Sequence, residues 1–256
     1  MSRTPRSYCI VAQLRLTLVK LGHFKRNIDL SSLRRWNSDL FEVVTLQERA
    51  HAPDGDQEWQ EFLDDSEGLP EPDVSSDITV AITEYGLEDN FYLRRLRSGL
   101  ILMSLAEVGS LLEERNVPLE NFILRNLYCV SLIRYHQGRA CPTSRNGRPD
   151  LIHDETRSCL FDMNGIKSDV LYSSSEPCVC SACKAKLESA DLPAGVLRSV
   201  GRELARIRKP LYFRMRDFVR RRPLVSLSLA FAGGLLLELI GNAAYDFLNG
   251  LVARSP

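Results

Sequence analysis

The amino-acid sequence predicts an α/β (α+β) domain followed by a C-terminal helical tail, and three stretches carry this prediction. Residues 78–83, ITVAIT, are short and rich in β-branched side chains, which is typical of a strand. Residues 100–116 begin as a continuous apolar run and then space their apolar side chains as a helix does, so a strand followed by a helix is expected. Residues 121–135 are apolar around most of the helical circumference, which indicates a buried central helix.

The composition of residues 1–190 predicts how the α/β domain is divided along the chain. Residues 1–50 are expected to form the N-terminal part of the α/β domain, with residues 8–20 fitting either a strand or a short helix. Residues 51–77 shift to Asp, Glu, Pro and Gly, so we expect an acidic flexible loop that is either a plain linker or an acidic docking site. The domain then resumes and is expected to span residues 78–190, including a cysteine-rich segment.

The charges of the chain cancel in total but are separated along the sequence. There are 33 Lys and Arg residues against 33 Asp and Glu residues, and this balance argues against a nucleic-acid-binding protein, which would carry a basic excess. However, residues 54–77 contain ten acids and no Lys or Arg, whereas residues 195–222 contain ten Lys or Arg residues against Glu203 and Asp217. The neutral total is therefore an average of unlike regions, and no nucleic-acid partner is expected.

The chemistry of the chain is concentrated in a cysteine cluster. The pair Cys180 and Cys183 has the Cys-x2-Cys spacing that places two thiolates on one tight turn. Cys159 lies about twenty residues earlier, and either His153 or Cys178 is available as the fourth ligand. We predict a zinc site formed by His153, Cys159, Cys180 and Cys183; buried free thiols are the alternative. Four protein ligands leave no open position for water, so such a Zn²⁺ ion is structural and not catalytic.

Residues 77–187 resemble the archaemetzincin family of zinc metallopeptidases. The similar parts are the strand ITVAIT followed by EYGLEDNFY, the strand and helix LILMSLAEV, the helix NFILRNLYCV, and the segment from His153 through Cys159-Leu-Phe-Asp-Met to the Cys-x2-Cys pair. The resemblance implies a metzincin-like domain with a small mixed sheet, a central helix and a cysteine-rich segment that binds a structural zinc ion. In that family the central helix also carries His-Glu-x-x-His, which belongs to a catalytic zinc site.

This sequence departs from the family at the catalytic positions. The chain has only four histidines and no His-Glu-x-x-His, and the central helix has Asn-Leu-Tyr-Cys at 126–129, in the region of the family's first zinc-binding His and catalytic Glu. A zinc peptidase needs two histidines on one helical face and a carboxylate that takes a proton from water. Asp154 stands where the family has a cysteine, so the resemblance implies a Cys3His structural site completed by His153. These departures imply a metallopeptidase-like pseudoenzyme.

The C-terminal part of the chain predicts membrane attachment. Residues 195–222 are expected to form a basic juxtamembrane helix, and residues 223–250 an apolar transmembrane or oligomerisation helix. The apolar stretch places Glu238, Asn242 and Asp246 on one face, where they would meet a partner helix or water. One alternative is that residues 223–250 form a helix that packs in the soluble core. Another is that this helix associates with a second copy of the chain.

The sequence thus predicts a membrane-anchored, zinc-stabilised, non-catalytic protein that acts in binding or regulation. We expect a single C-terminal span, a cytoplasmic soluble domain, contact with membrane lipid through residues 195–250, and an unidentified protein partner. One alternative is an active zinc-dependent hydrolase with a non-standard site around His153, Asp154 and Glu155. Another is a membrane effector whose C-terminal helix forms a homo-oligomer.

Overall fold

A computed structural model describes residues 13–50, 69–87, 91–96, 99–138, 148–190, 192, 194–207 and 211–252. The chain divides into two compact units, Met1–Arg208 and Lys209–Pro256. Most of the acidic loop predicted over 51–77 lies outside the described residues, so the prediction stays untested there.

The first unit is built on a five-stranded mixed sheet, which agrees with the α/β fold and the small mixed sheet that were expected. Its strands are β1 (Leu14–Leu21), β2 (Phe41–Arg49), β3 (Ile78–Thr83), β4 (Leu93–Arg95) and β5 (Leu100–Ser104). Their order is β2-β1-β3-β5-β4, with parallel pairing throughout except for β4, which runs antiparallel to β5 at the edge. Every residue of β3 and β5 is buried, which is why both strands read as continuous apolar runs in the sequence.

The first unit also contains helices, of which one lies between β1 and β2 in the chain and the others come after β5. They are α1 (Leu30–Arg34), α2 (Ala106–Glu114), α3 (Leu119–His136), α4 (Val170–Ser175), α5 (Ser181–Ser189) and α6 (Ala194–Leu204), with a 3-10 turn at Lys167–Asp169 before α4. Helix α3 begins directly after Pro118, and all its side chains from Asn121 to Ile133 are buried. The predicted buried central helix is confirmed.

The basic segment predicted as one juxtamembrane helix over 195–222 is divided between the two units. Its first part, α6, belongs to the first unit and buries Val196, Leu197, Val200 and Leu204. Glu203 of α6 is also buried, and its carboxylate accepts hydrogen bonds from the Tyr128 hydroxyl at 2.6 Å and from the Asp39 backbone N–H at 2.9 Å. Helix α6 is therefore part of the folded first unit, because both its apolar face and the Glu203 carboxylate are buried against other residues of that unit.

Substituting Tyr128 with phenylalanine tests this attachment of α6. The Tyr128 hydroxyl donates to Glu203 and accepts a hydrogen bond from Trp36 Nε1 at 2.8 Å. Burial and the bond to Glu203 raise the pKa of Tyr128, so the hydroxyl remains a donor at neutral pH. We expect Tyr128→Phe to lower the free energy of unfolding by about 2–3 kcal/mol, because Glu203 Oε2 loses its donor in a buried site and the Trp36 indole N–H loses its acceptor. Urea denaturation measures this change; Tyr172→Phe, at an exposed position, is the control and should change stability little.

The second unit consists of α7 (Leu211–Arg221) and α8 (Pro223–Val252). Large apolar side chains are exposed on both helices, with Tyr212 and Phe231 each 71% accessible to solvent. Among the described residues, no helix is both long enough and apolar enough to cross a membrane, so the span predicted over 223–250 receives no support.

Candidate metal centre

Two short backbone bridges shape the segment that contains the predicted ligands. In the first bridge, the His153 N–H donates to the Phe161 carbonyl at 3.1 Å and the Met163 N–H donates to the His153 carbonyl at 2.9 Å. In the second, the Leu160 N–H donates to the Cys178 carbonyl at 2.8 Å and the Cys178 N–H to the Ser158 carbonyl at 3.0 Å. The turn that carries Cys159 is therefore fixed between His153 on one side and the Cys-x2-Cys pair on the other.

Helix α5 brings in the remaining two ligands. Cys180 is the N-cap of α5 and Cys183 lies in its first turn, so the local helical geometry directs both thiols to one end of the helix. The Cys180 backbone N–H points at the Cys159 sulfur, at 3.4 Å. Backbone N–H groups and the positive end of the helix dipole favour a thiolate at this position.

The four predicted ligands converge into one group that could hold a metal ion. The His153 ring nitrogens and the sulfur atoms of Cys159, Cys180 and Cys183 supply ligand atoms that lie within 4.8 Å of one another. His153 Nε2 is 3.6 Å from Cys180 Sγ. Cys178 is outside this group, because its sulfur lies 3.4 Å from the Ser158 carbonyl and 3.6 Å from the Arg157 carbonyl. Of the two alternatives for the fourth ligand, the geometry favours His153.

The thiols of the cluster have unequal acidities in the metal-free chain. Burial raises the pKa of Cys159 well above its ordinary value and raises the pKa of Cys183 to about 12. Burial also disfavours the thiolate of Cys180, but hydrogen bonds from Cys183, Cys159 and Arg157 outweigh it and lower the pKa of Cys180 to about 7. One thiolate is therefore accessible at neutral pH, and the other two protons have to be displaced by an incoming cation.

A buried aspartate supports the cluster from behind, and no pattern in the sequence pointed to it. Asp162 Oδ2 accepts hydrogen bonds from the backbone N–H groups of Cys159, at 2.8 Å, and Arg157, at 2.9 Å. Asp162 Oδ1 is 3.5 Å from His153 Nδ1, and that nitrogen also lies 3.0 Å from the Glu155 carbonyl. Burial raises the pKa of Asp162 although both backbone bonds oppose this shift. A carboxylate behind a histidine orients the ring so that its other nitrogen faces a metal.

The residues of the alternative hydrolase site lie on the surface around the cluster. Asp154 forms an ion pair with Arg148, and Glu155 pairs with Arg157 at 3.2 Å. Both carboxylates are more than half exposed. Glu155 Oε2 also lies 3.9 Å from His153 Nδ1, but His153 directs Nε2 towards Cys180 and Asp154 pairs with Arg148, so the three residues do not share one site.

No family model, no curated protein and no solved structure matches this chain.

Proposed function

We propose that this protein is a zinc-stabilised, metallopeptidase-like protein that acts by binding at a membrane surface and does not hydrolyse a substrate. The observation that carries the proposal is the four-residue cluster, whose ligand atoms all come from protein side chains within 4.8 Å of one another. Such a set fills a tetrahedral coordination sphere and leaves no site for a reacting water molecule.

The chemistry of the ligands favours zinc. Three thiolates and one imidazole form the Cys3His set that is common in structural zinc sites, and soft thiolate ligands disfavour Mg²⁺ and Ca²⁺. The metal would join two parts of the chain that are about twenty residues apart in sequence: the segment with His153 and Cys159, and the start of α5 with Cys180 and Cys183. It would therefore stabilise a segment of the first unit that has little regular secondary structure.

The pKa values predict how zinc binding depends on pH. Two of the thiols hold protons at pH 7, and Cys180, with a pKa of about 7, is partly ionised. Binding of Zn²⁺ should therefore release between about two and three protons per metal at pH 7, and the affinity should rise with pH. Calorimetric titration in buffers of different ionisation enthalpy measures the number released; release of fewer than one proton would mean that thiols do not bind the metal.

The absence of His-Glu-x-x-His from the sequence supports a non-catalytic role. In His-Glu-x-x-His the two histidines are one helical turn apart and the glutamate directly follows the first. On α3, Arg125, Asn126 and Cys129 have this spacing. These side chains supply neither the two imidazoles nor the carboxylate that a zinc peptidase requires. A metzincin-like domain that has kept its structural metal and lost its catalytic one fits both the resemblance and the cluster.

Helix α7 supports the proposed contact with a membrane surface. Leu211, Met215, Phe218 and Val219 share one helical face and are exposed, although they are all large and apolar. Arg214, Arg220 and Arg221 lie off this face and are exposed as well. An amphipathic helix with arginines beside an apolar face binds in the interface of anionic membranes without crossing them.

Vesicle flotation combined with metal analysis tests the proposed function. The purified full chain should contain about one zinc per chain and should float with vesicles of phosphatidylcholine and phosphatidylserine but much less with phosphatidylcholine alone. A chain that stays in the lower fraction with both vesicle types, or that forms a discrete oligomer without lipid, would favour the homo-oligomer instead. Hydrolysis of a peptide library by the zinc-loaded chain would contradict the non-catalytic role.

A further inference from the structure

A cavity of about 230 Å³ lies beside the metal centre in the first unit. It is bounded by edge strand β4, by helix α3 and by the segment that carries the metal ligands. Much of its wall is apolar, with contributions from Phe91, Leu93, Cys129, Ile152, Leu160 and Met163. Apolar cavities of about 150 Å³ admit a molecule of the size of benzene, so the occupant of this cavity is a small molecule.

One fully buried cation lines this apolar cavity. Arg125 is 1% exposed, and its described hydrogen bonds all go to uncharged oxygens: the Tyr92 hydroxyl at 3.1 Å, the Asn126 side chain at 2.7 Å and the Asp162 carbonyl at 3.0 Å. Its Nε has no hydrogen-bond partner among the described residues. A buried guanidinium that is not paired with an anion is costly, and a carboxylate matches its fork of donors.

The other charged groups of the wall are already engaged, including Arg95, which is also buried. Asp162 directs its carboxylate to two backbone N–H groups and towards His153, on the side of the metal centre. Arg148 pairs with Asp154, and the Arg94 guanidinium stacks on the Phe91 ring at 4.1 Å. The wall thus carries more positive than negative charge, and Arg125 forms no ion pair with a carboxylate among the described residues. The Asp162 carboxylate attracts Arg125 electrostatically but makes no hydrogen bond to it.

We propose that the cavity binds a small monocarboxylate with an apolar body, whose carboxylate pairs with Arg125. The apolar body lies against the side chains of β4 and of the metal-binding segment. This inference rests on the proposed binding role and names its ligand class. The proposed metal would affect this site as well, because Ile152, Leu160 and Met163 line the cavity and belong to the segment that contains the metal ligands.

Calorimetric titration of the full chain with 3-phenylpropanoate tests the proposal. The matched ligand 3-phenylpropanamide has the same shape without the charge, and inorganic phosphate has the charge without the apolar body. We expect 3-phenylpropanoate to bind at least about 10-fold more tightly than the amide or phosphate. This factor corresponds to the free energy of one hydrogen bond between charged groups. Equal binding of the amide would overturn the role of Arg125, and equal binding of phosphate would overturn the apolar ligand class.

Two variants separate the charge from the cavity. Arg125→Met should weaken 3-phenylpropanoate binding about 10- to 100-fold and leave amide binding unchanged. Ile152→Phe keeps every charge but narrows the cavity, so it should also weaken carboxylate binding, and it serves as the test if Arg125→Met fails to fold. Unchanged carboxylate affinity in either folded variant would overturn the proposal. Metal analysis of the same samples keeps the two proposals apart, since carboxylate binding by a zinc-free chain would contradict the structural zinc and not this site.

Discussion

Cys159→Ser is expected to abolish stoichiometric metal binding and to destabilise the first unit strongly. Cys159 is fully buried and its sulfur is one of the four ligand atoms of the cluster, 3.4 Å from the Cys180 backbone nitrogen. Serine cannot provide a thiolate, and three remaining ligands hold zinc much more weakly. Structural zinc contributes roughly 10–16 kcal/mol in small zinc-finger peptides, and this unit also has its own hydrophobic core, so we expect a loss of about 5 kcal/mol. Urea denaturation and metal analysis of the full chain measure both effects.

Cys178→Ser is the matched control for this substitution. Cys178 lies in the same segment, and its thiol contacts two backbone carbonyl groups and not the cluster. A serine hydroxyl can donate to the same carbonyls, so metal content should be unchanged and stability should fall by less than about 1 kcal/mol. If Cys178→Ser removed the metal while His153→Ala retained it, the proposed ligand set would be wrong.

Neutralising the arginines of α7 is expected to give the second large effect. The triple variant Arg214→Gln, Arg220→Gln, Arg221→Gln should weaken binding to anionic vesicles on the order of 100-fold, because each basic residue near such a surface contributes about 1 kcal/mol. The attraction should also weaken as salt is added, since the Debye length falls below about 10 Å above 0.1 M. Vesicle sedimentation at two salt concentrations measures both changes.

A second triple variant controls for the change in net charge. Arg34, Arg49 and Arg115 are exposed on the first unit, and their replacement by glutamine removes the same charge from other surfaces. Binding to anionic vesicles should then remain close to that of the unmodified chain. An equal loss in both triple variants would mean that net charge, and not α7, determines membrane binding.

The central part of the fold could be predicted because buried elements leave a local pattern in the sequence. Strands β3 and β5 are buried on both faces and therefore appear as apolar runs, and α3 is apolar around its circumference for the same reason. Strand β4 could not be found in this way, because it has three residues and exists through its pairing with β5. The attachment of α6 was missed since Glu203 and its partner Tyr128 are 75 residues apart.

The sequence predicts those ligands of the metal centre that lie close to one another along the chain. Cys180 and Cys183 are one helical turn apart, and this spacing is typical of thiolate pairs that bind zinc. Asp162 and Arg125 carry no such spacing pattern, and it is the tertiary structure that buries both and brings the Arg125 guanidinium to the Asp162 carbonyl. A charged residue within an otherwise apolar helix, as at Arg125, was the one feature in the sequence that could have drawn attention to the cavity.

X-ray absorption at the zinc edge of the purified full chain tests the closed metal centre most directly. A structural Cys3His site predicts about one zinc per chain, with three sulfur ligands at about 2.3 Å, one nitrogen ligand at about 2.0–2.1 Å and no further oxygen ligand. A coordination shell that contains a water oxygen, or a chain purified with far less than one equivalent of metal, would contradict it.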